Sequence, residues 1–187
     1  MMTNKHFVAK IVPLNEAKIG TAAHGNASFD IEGDQLKISI EMWDTPAGIQ
    51  HWEHFHGFPD GQDAAIATMT QDVNGDGFVD LPETEPVSGT TMVPFNDAPA
   101  DMNIPNDEYP VADDQGHFAY TKLVPLSKLS ANFKAAFNDT ALALDKRVIY
   151  IHGVPSGLNL PASVAGEVGH YDAHVTLPIA VGKIEVK

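Results

Sequence analysis

Between Gly25 and Trp43 the chain alternates apolar and polar residues, G-N-A-S-F-D-I-E-G-D-Q-L-K-I-S-I-E-M-W. A period of two sends successive side chains to opposite faces of a strand, so this stretch predicts a β-hairpin turning at Glu32-Gly33-Asp34. Phe29 and Ile31 match Leu36, Ile38 and Ile40 as inward residues, while Lys37, Ser39 and Glu41 face outward. Shorter runs predict strands at 6–12, 49–56, 117–124, 147–152, 173–177 and 182–186. The period changes in S-K-L-S-A-N-F-K-A-A-F, 127–137, where Leu129, Phe133 and Phe137 recur every four residues; this is the one helix predicted, with Ser127 as its cap. A helical turn is predicted at 62–70, and residues 84–116, rich in Pro, Asn and Asp, read as a long irregular excursion. Many short strands separated by Gly and Pro turns predict an all-β fold: an antiparallel sandwich or barrel, Greek-key-like, with loop insertions and one short helix.

Composition sets the scale. With 187 residues, 43% of them hydrophobic, the chain can bury one sizeable core, which predicts a single domain over 1–187 with an insertion at about 60–116. No apolar run reaches the roughly 18 residues of a membrane span. The start, M-M-T-N-K-H-F-V-A-K, lacks the apolar core of a signal peptide, and its doubled Met reads as a start that replaces a removed export signal. Cysteine is absent, which excludes disulfides, thiolate metal sites, iron–sulfur clusters and cysteine nucleophiles. Any transition metal must therefore be held by His, carboxylate or water. The net charge is −14, and no Lys or Arg occurs between Lys37 and Lys122. Such a surface repels phosphate backbones, so nucleic acid is excluded as a partner and metal cations are favoured. Oligomeric state leaves no mark in the sequence.

Within the acidic region, Asp72 to Glu83 read D-V-N-G-D-G-F-V-D-L-P-E. Calcium takes six to eight oxygen ligands, so a binding loop must present oxygens from alternate positions of a tight turn. Asp72, Asn74 and Asp76 offer the first three side-chain oxygens, Gly77 permits the turn, and Phe78 offers its carbonyl. Asp80 stands where a ligand or water-holding acid belongs, and Glu83 closes the loop in bidentate fashion. The spacing is that of a calcium loop of EF-hand type. A pair of sensing EF-hands is not indicated, since there is one loop and Pro82 and Pro86 leave no room for a long exiting helix.

Nine histidines accompany this loop, six of them in three groups. H-W-E-H-F-H-G carries His51, His54 and His56; on a strand His54 and His56 share a face, and His51 falls on the other. His152 ends I-Y-I-H-G, and the pattern H-G-x-P-x-G occurs both at 56–61 and at 152–157, which suggests two strands ending in one turn type and bringing His56 and His152 to one end of a sheet. G-H-Y-D-A-H holds His170, Tyr171, Asp172 and His174, as further ligands, as groups supporting the ligands, or as a proton relay. Imidazole suits copper and zinc alike. His6, His24 and His117 read as surface or hydrogen-bonded structural residues. Met42, Met69, Met92 and Met102 read either as core filler or as soft copper ligands.

The order of these features resembles the CHRD domain family: G-x-A-x-F-x-I-x-G-D-x-L-x-I-x-I, then H-F-H-G, I-Y-I-H-G and a closing P-I-A-V-G-K-I-E-V. It is similar in outline to copper-zinc superoxide dismutase. The resemblance implies an extracytoplasmic β-sandwich, periplasmic or secreted, with the dismutase's copper-binding H-x-H on His54 and His56 and its later strand histidine on His152. The sequence departs from the dismutase in lacking its cysteine pair and its histidine-rich zinc loop, the calcium loop standing in that interval. Arg147, the only arginine, opens a predicted strand instead of guarding a site. An acidic surface without a guiding arginine argues against superoxide turnover. Three functions remain open: a metal-binding module, a copper or zinc metalloenzyme with Asp172, Glu53 or Tyr171 as acid–base or supporting groups, and a calcium-binding adhesion domain whose histidines line a polar core.

Overall fold

A computed structural model describes residues 4–187, so the reading of Met1 and Met2 lies outside the described residues. Nine strands build one antiparallel sheet: β1 (Lys5–Pro13), β2 (His24–Glu32), β3 (Gln35–Trp43), β4 (Glu53–Gly57), β5 (Thr90–Pro94), β6 (Phe118–Pro125), β7 (Val148–His152), β8 (Pro178–Lys183) and β9 (Glu185–Val186). Neighbours run β5-β4-β7-β8-β1-β2-β3-β6, with β9 beside β1. The hairpin forms in the predicted register, Phe29 opposite Ile38 and Ile31 opposite Leu36. Phe29, Leu36, Ile38 and Ile40 are buried and Ile31 is half-buried.

The curl of the sheet originates in β1. Lys5 to Ile11 pair with β2, whereas Val12 and Pro13 pair with β8, so one strand serves both halves. The halves form a half-barrel over a common core. Phe95 lies 5.8 Å, ring to ring, from Phe29 in one half and from Phe55 in the other. Helix α3 (Leu126–Ala136), the predicted helix, adds Leu129 and Phe133 to this core. Ser127 does not cap it; its N–H and hydroxyl both donate to the Asp34 carboxylate at 2.8 Å, tying the helix start to the hairpin turn.

Several expectations need correction. Residues 173–176 form not a strand but a helical turn, α4 (Ala173–Thr176), because the Asp172 carboxylate accepts the His174 N–H and turns the chain. The following strand therefore starts at Pro178. β4 begins only at Glu53, and the helical turn predicted at 62–70 shrinks to a 3-10 turn at Met69–Gln71. The supposed irregular excursion contains β5 and the end of helix α2 (Leu81–Ser88). Pro82 is tolerated in the first turn of α2, where its missing N–H costs no bond, and Asp80 and Glu83 cap the helix reciprocally. With α1 (Glu16–Ile19), the helices number four among the described residues instead of one. None is long and apolar enough to cross a membrane.

The insertion is packed down. Strand alternation sends Phe55, Ile149 and Ile151 into the main core and leaves Val148 and Tyr150 on the outer face of β4 and β7. There Ala64, Ala67 and Val79 join Val148, Tyr150 and Val181 in a second, smaller cluster. The Tyr150 hydroxyl accepts the Ala67 N–H at 3.2 Å and donates to Ser88 Oγ at 2.6 Å, fixing the cover to the sheet.

Arg147 secures the turn at the end of β4. Fully buried, it donates to the carbonyls of Leu142 (3.0 Å), Phe58 (3.2 Å) and Ala141 (2.9 Å). Gly57 makes room for it, since a Cβ there would stand 2.6 Å from Arg147 Cδ. Replacing Arg147 by Met removes three charge-assisted hydrogen bonds to partly buried carbonyls, at about 1 kcal/mol or more each. Denaturant unfolding of Arg147→Met should therefore show a loss of at least about 3 kcal/mol; a loss below about 0.5 kcal/mol, as for an ordinary surface change, would contradict this role.

Candidate metal centre

The antiparallel register places His54 opposite Tyr150 and His56 opposite Val148, so the two H-G turns leave β4 and β7 at opposite ends, not at the shared end that the repeat suggests. The histidines meet because all three belong to the same outer face. Ring centroids of His152 lie 5.1 Å from His54 and 5.6 Å from His56. One nitrogen from each ring falls within 4.8 Å of the others, and all three residues are buried. Among the described residues no other group of three or more His, Asp or Glu meets that spacing.

The hydrogen bonds decide which nitrogens are free. His152 Nδ1–H donates to the Thr176 carbonyl at 2.8 Å, leaving Nε2 without a partner. The Tyr109 hydroxyl donates to the Ile104 carbonyl at 2.6 Å, so it accepts from His54 Nε2–H at 2.9 Å and leaves His54 Nδ1 bare. His56 Nε2 lies 3.4 Å from Thr91 Oγ1, and its Nδ1 is likewise unpartnered. Metal-bound histidines characteristically commit their second nitrogen to such an outer partner, which fixes the tautomer. Burial lowers the pKa of all three: His54 and His56 fall well below the usual imidazole value, with repulsion from neighbouring rings adding to the effect, and His152 falls to about 4. They are neutral at physiological pH, the form a metal requires of its ligands.

A chamber of about 20 Å³ is bordered by His54 and His152, though not by His56, together with Trp52, Leu81, Thr91, Ile104, Val168 and Thr176. It has room for about one water molecule. Trp52 is buried and its indole N–H finds no acceptor. Three neutral imidazoles with a small chamber beside them form a donor set suited to a metal ion. A wider concavity, about 570 Å³, is an open groove on the outer face of β1, β2, β3 and β6, and none of the three histidines lines it.

The other sequence candidates lie elsewhere. His51 Nδ1 and Nε2 each stand 2.9 Å from a carbonyl oxygen, those of His152 and Pro46, so neither nitrogen is free for a metal; His51 braces the strand that carries His152. His170 is exposed at the tip of the 168–171 turn, His174 Nε2–H donates to the Leu158 carbonyl at 2.8 Å, and Asp172 caps α4. Tyr171 sets its ring edge against Trp52 at 4.7 Å. Met42 and Met92 are core filler and Met69 is exposed. His6, His24 and His117 pair with Asp30, Asp44 and Glu41 respectively, as structural histidines do. No pattern in the chain points to Tyr109 or Thr91, and the Thr176 contribution is a main-chain carbonyl, which no side-chain pattern encodes.

Loop 72–83 is a compact turn with Gly75 and Gly77 at positive φ (74° and 90°). The Asp72 carboxylate accepts the N–H groups of Gly75, Asp76 and Gly77, and Asn74 Oδ1 accepts that of Asp76. Asp76 holds the N–H of Phe78, and Glu83 holds those of Val73 and Asp80. The Phe78 ring is buried in the main core. The loop's carboxylates do not gather as the three imidazoles do.

No family model matches the chain, and no curated protein matches it.

Glu53, on the opposite face of β4 from His54, is fully buried with both carboxylate oxygens unpartnered. It does not share the face of the three imidazoles, so the acid–base role read for it has no support in the geometry. Burial raises its pKa well above the usual 4.5. The unfolded chain ionises this group and the folded chain does not, so its contribution to stability is complete below the unfolded pKa and falls as pH rises towards the folded one. Glu53→Gln cannot ionise, and its melting temperature should gain steadily on the parent's between about pH 5 and about pH 7.5. A difference that stays constant with pH would contradict this account.

Proposed function

We propose that the protein is an extracytoplasmic metal-binding β-sandwich protein that holds one copper or zinc ion on His54, His56 and His152. The observation that carries this reading is a set of three buried, neutral imidazoles that offer one nitrogen each within 4.8 Å of one another; each ring also keeps a nitrogen without a hydrogen-bond partner, and two of the rings are fixed from behind by Tyr109 and the Thr176 carbonyl. Leaving three buried polar atoms unsatisfied is costly, about 1–3 kcal/mol each, and a metal ion removes that cost. Placement of H-x-H and a later histidine on adjacent antiparallel strands accords with the CHRD and copper-zinc superoxide dismutase resemblance, which also supports the periplasmic or secreted location. The chamber beside the site favours a second reading, a metalloenzyme whose metal keeps one position for water or a ligand of similar size, with the Trp52 N–H as a donor to it.

Calcium belongs to the same proposal. Loop 72–83 has the ligand spacing, the two left-handed glycines and an ensuing capped helix that suit a structural calcium clip. The clip would tie the insertion to the sheet, with Val79 in the smaller cluster acting from the same loop.

Elemental analysis of tag-free protein dialysed against copper or zinc should find one ion per chain in the parent, none in His54→Ala/His56→Ala, and one in His170→Ala/His174→Ala. Stoichiometric metal retained by the His54→Ala/His56→Ala protein would contradict the site. For the clip, calcium at a thousandfold over its Kd should stabilise the parent by about 4 kcal/mol, and Asp76→Ala should lose that gain. Equal melting of the parent in calcium and in chelator would contradict it.

A further inference from the structure

The segment from Ser163 to Thr176 crosses the outside of the candidate metal centre and is held at both ends. At one end it hangs from the 72–83 loop: Ser163 Oγ donates to Asp76 Oδ2 at 2.7 Å, and the Ala165 N–H donates to Asp80 Oδ2 at 2.8 Å. At the other it is pinned beyond β7, where the Gly153 N–H donates to the Leu177 carbonyl and the Val154 N–H to the His174 carbonyl. Between these ends the segment is cross-tied to itself, Thr176 Oγ1 donating to the Gly166 carbonyl at 2.7 Å. Gly166 has φ 132° and sits so close that a Cβ would fall 2.5 Å from Thr176 Oγ1 and 3.3 Å from Leu81 Cβ. Val168 and Thr176 from this segment, with Leu81 from α2, line the small chamber. The Thr176 carbonyl receives the His152 Nδ1–H.

An unbroken series of contacts therefore runs from two carboxylates of the 72–83 loop, through Gly166 and the Thr176 side chain, to the ring of His152. We propose that this strap positions His152 and retains the metal, with Thr176 as the positioning residue and Asp76 and Asp80 as the strap's anchors. The inference rests on His54, His56 and His152 being the metal ligands. Thr176 acts through its carbonyl, which selects the tautomer that leaves His152 Nε2 bare, and its hydroxyl holds that carbonyl in place. The strap also covers the open position, so a leaving metal must pass it or displace it.

The test uses the full chain with copper(II) alone as probe. Thr176→Val preserves side-chain shape and the carbonyl but removes the tie to Gly166. Ser163→Ala, at an exposed position, removes one anchor with little risk to folding, and Thr176→Ser restores the hydroxyl. All three variants should bind one copper per chain. Thr176→Val should release it to excess chelator about tenfold faster than the parent; Ser163→Ala should be faster to a smaller degree, and Thr176→Ser should match the parent. Release from Thr176→Val at the parent's rate would overturn the proposal. A second measurement needs no metal: the His152 Nδ1–H proton, followed by NMR, should be protected in the parent and exchange with solvent about tenfold faster in Thr176→Val. Unchanged exchange would likewise overturn it. A parent that takes up no copper would refute the metal reading and leave the proton measurement to decide the strap.

Discussion

Three neutral imidazoles buried side by side, each with an unpartnered nitrogen, are the constraint around which the rest of the molecule is arranged. Polar atoms in that condition are costly unless something completes their coordination, and the fold places three of them together beneath a cover. The main core does not need them. Phe29, Phe55, Phe95 and their neighbours hold the half-barrel closed on the opposite face of β4 and β7. The histidine face could have been left to solvent, as one face of an antiparallel sheet often is. Instead, residues of the 60–88 segment pack over it, and the Tyr150 hydroxyl fastens that cover in place.

Enclosure sets the chemistry. Exclusion of water holds the imidazoles neutral well below the usual histidine range. Tyr109 and the Thr176 carbonyl then decide which nitrogen of His54 and His152 points inward. The chamber limits any further ligand to about the size of water. A site so closed is more suited to retaining an ion than to passing large substrates. The buried Arg147, spent on three carbonyls at the end of β4, is not a guide for anions. The acidic surface between Lys37 and Lys122 favours the approach of cations.

Much of this was legible in the chain. Alternation over 25–43 yields the hairpin and its register, because a one-residue slip would turn Phe29 and Ile38 out to solvent. The i, i+2 spacing of His54 and His56 yields half the candidate site for the same reason. The repeated H-G-x-P-x-G pattern points to His152, although the antiparallel pairing joins the residues by a shared face and not by a shared end. What escaped depends on tertiary contacts. Val175 and Thr176 have the β-branched look of a strand, yet Asp172 caps a helical turn there. β5 was concealed in a stretch rich in Pro and Asn, and α2 by two prolines that its short length tolerates. His170 and His174 are near each other in sequence but are turned to the surface and to the Leu158 carbonyl.

The most direct test of the central claim is X-ray absorption spectroscopy at the copper or zinc edge of the loaded protein. The account predicts a first shell with three imidazole nitrogens at about 2.0 Å, with their outer-ring scattering, and one further light atom. A shell of oxygen atoms alone, or one with fewer than two imidazoles, would contradict it.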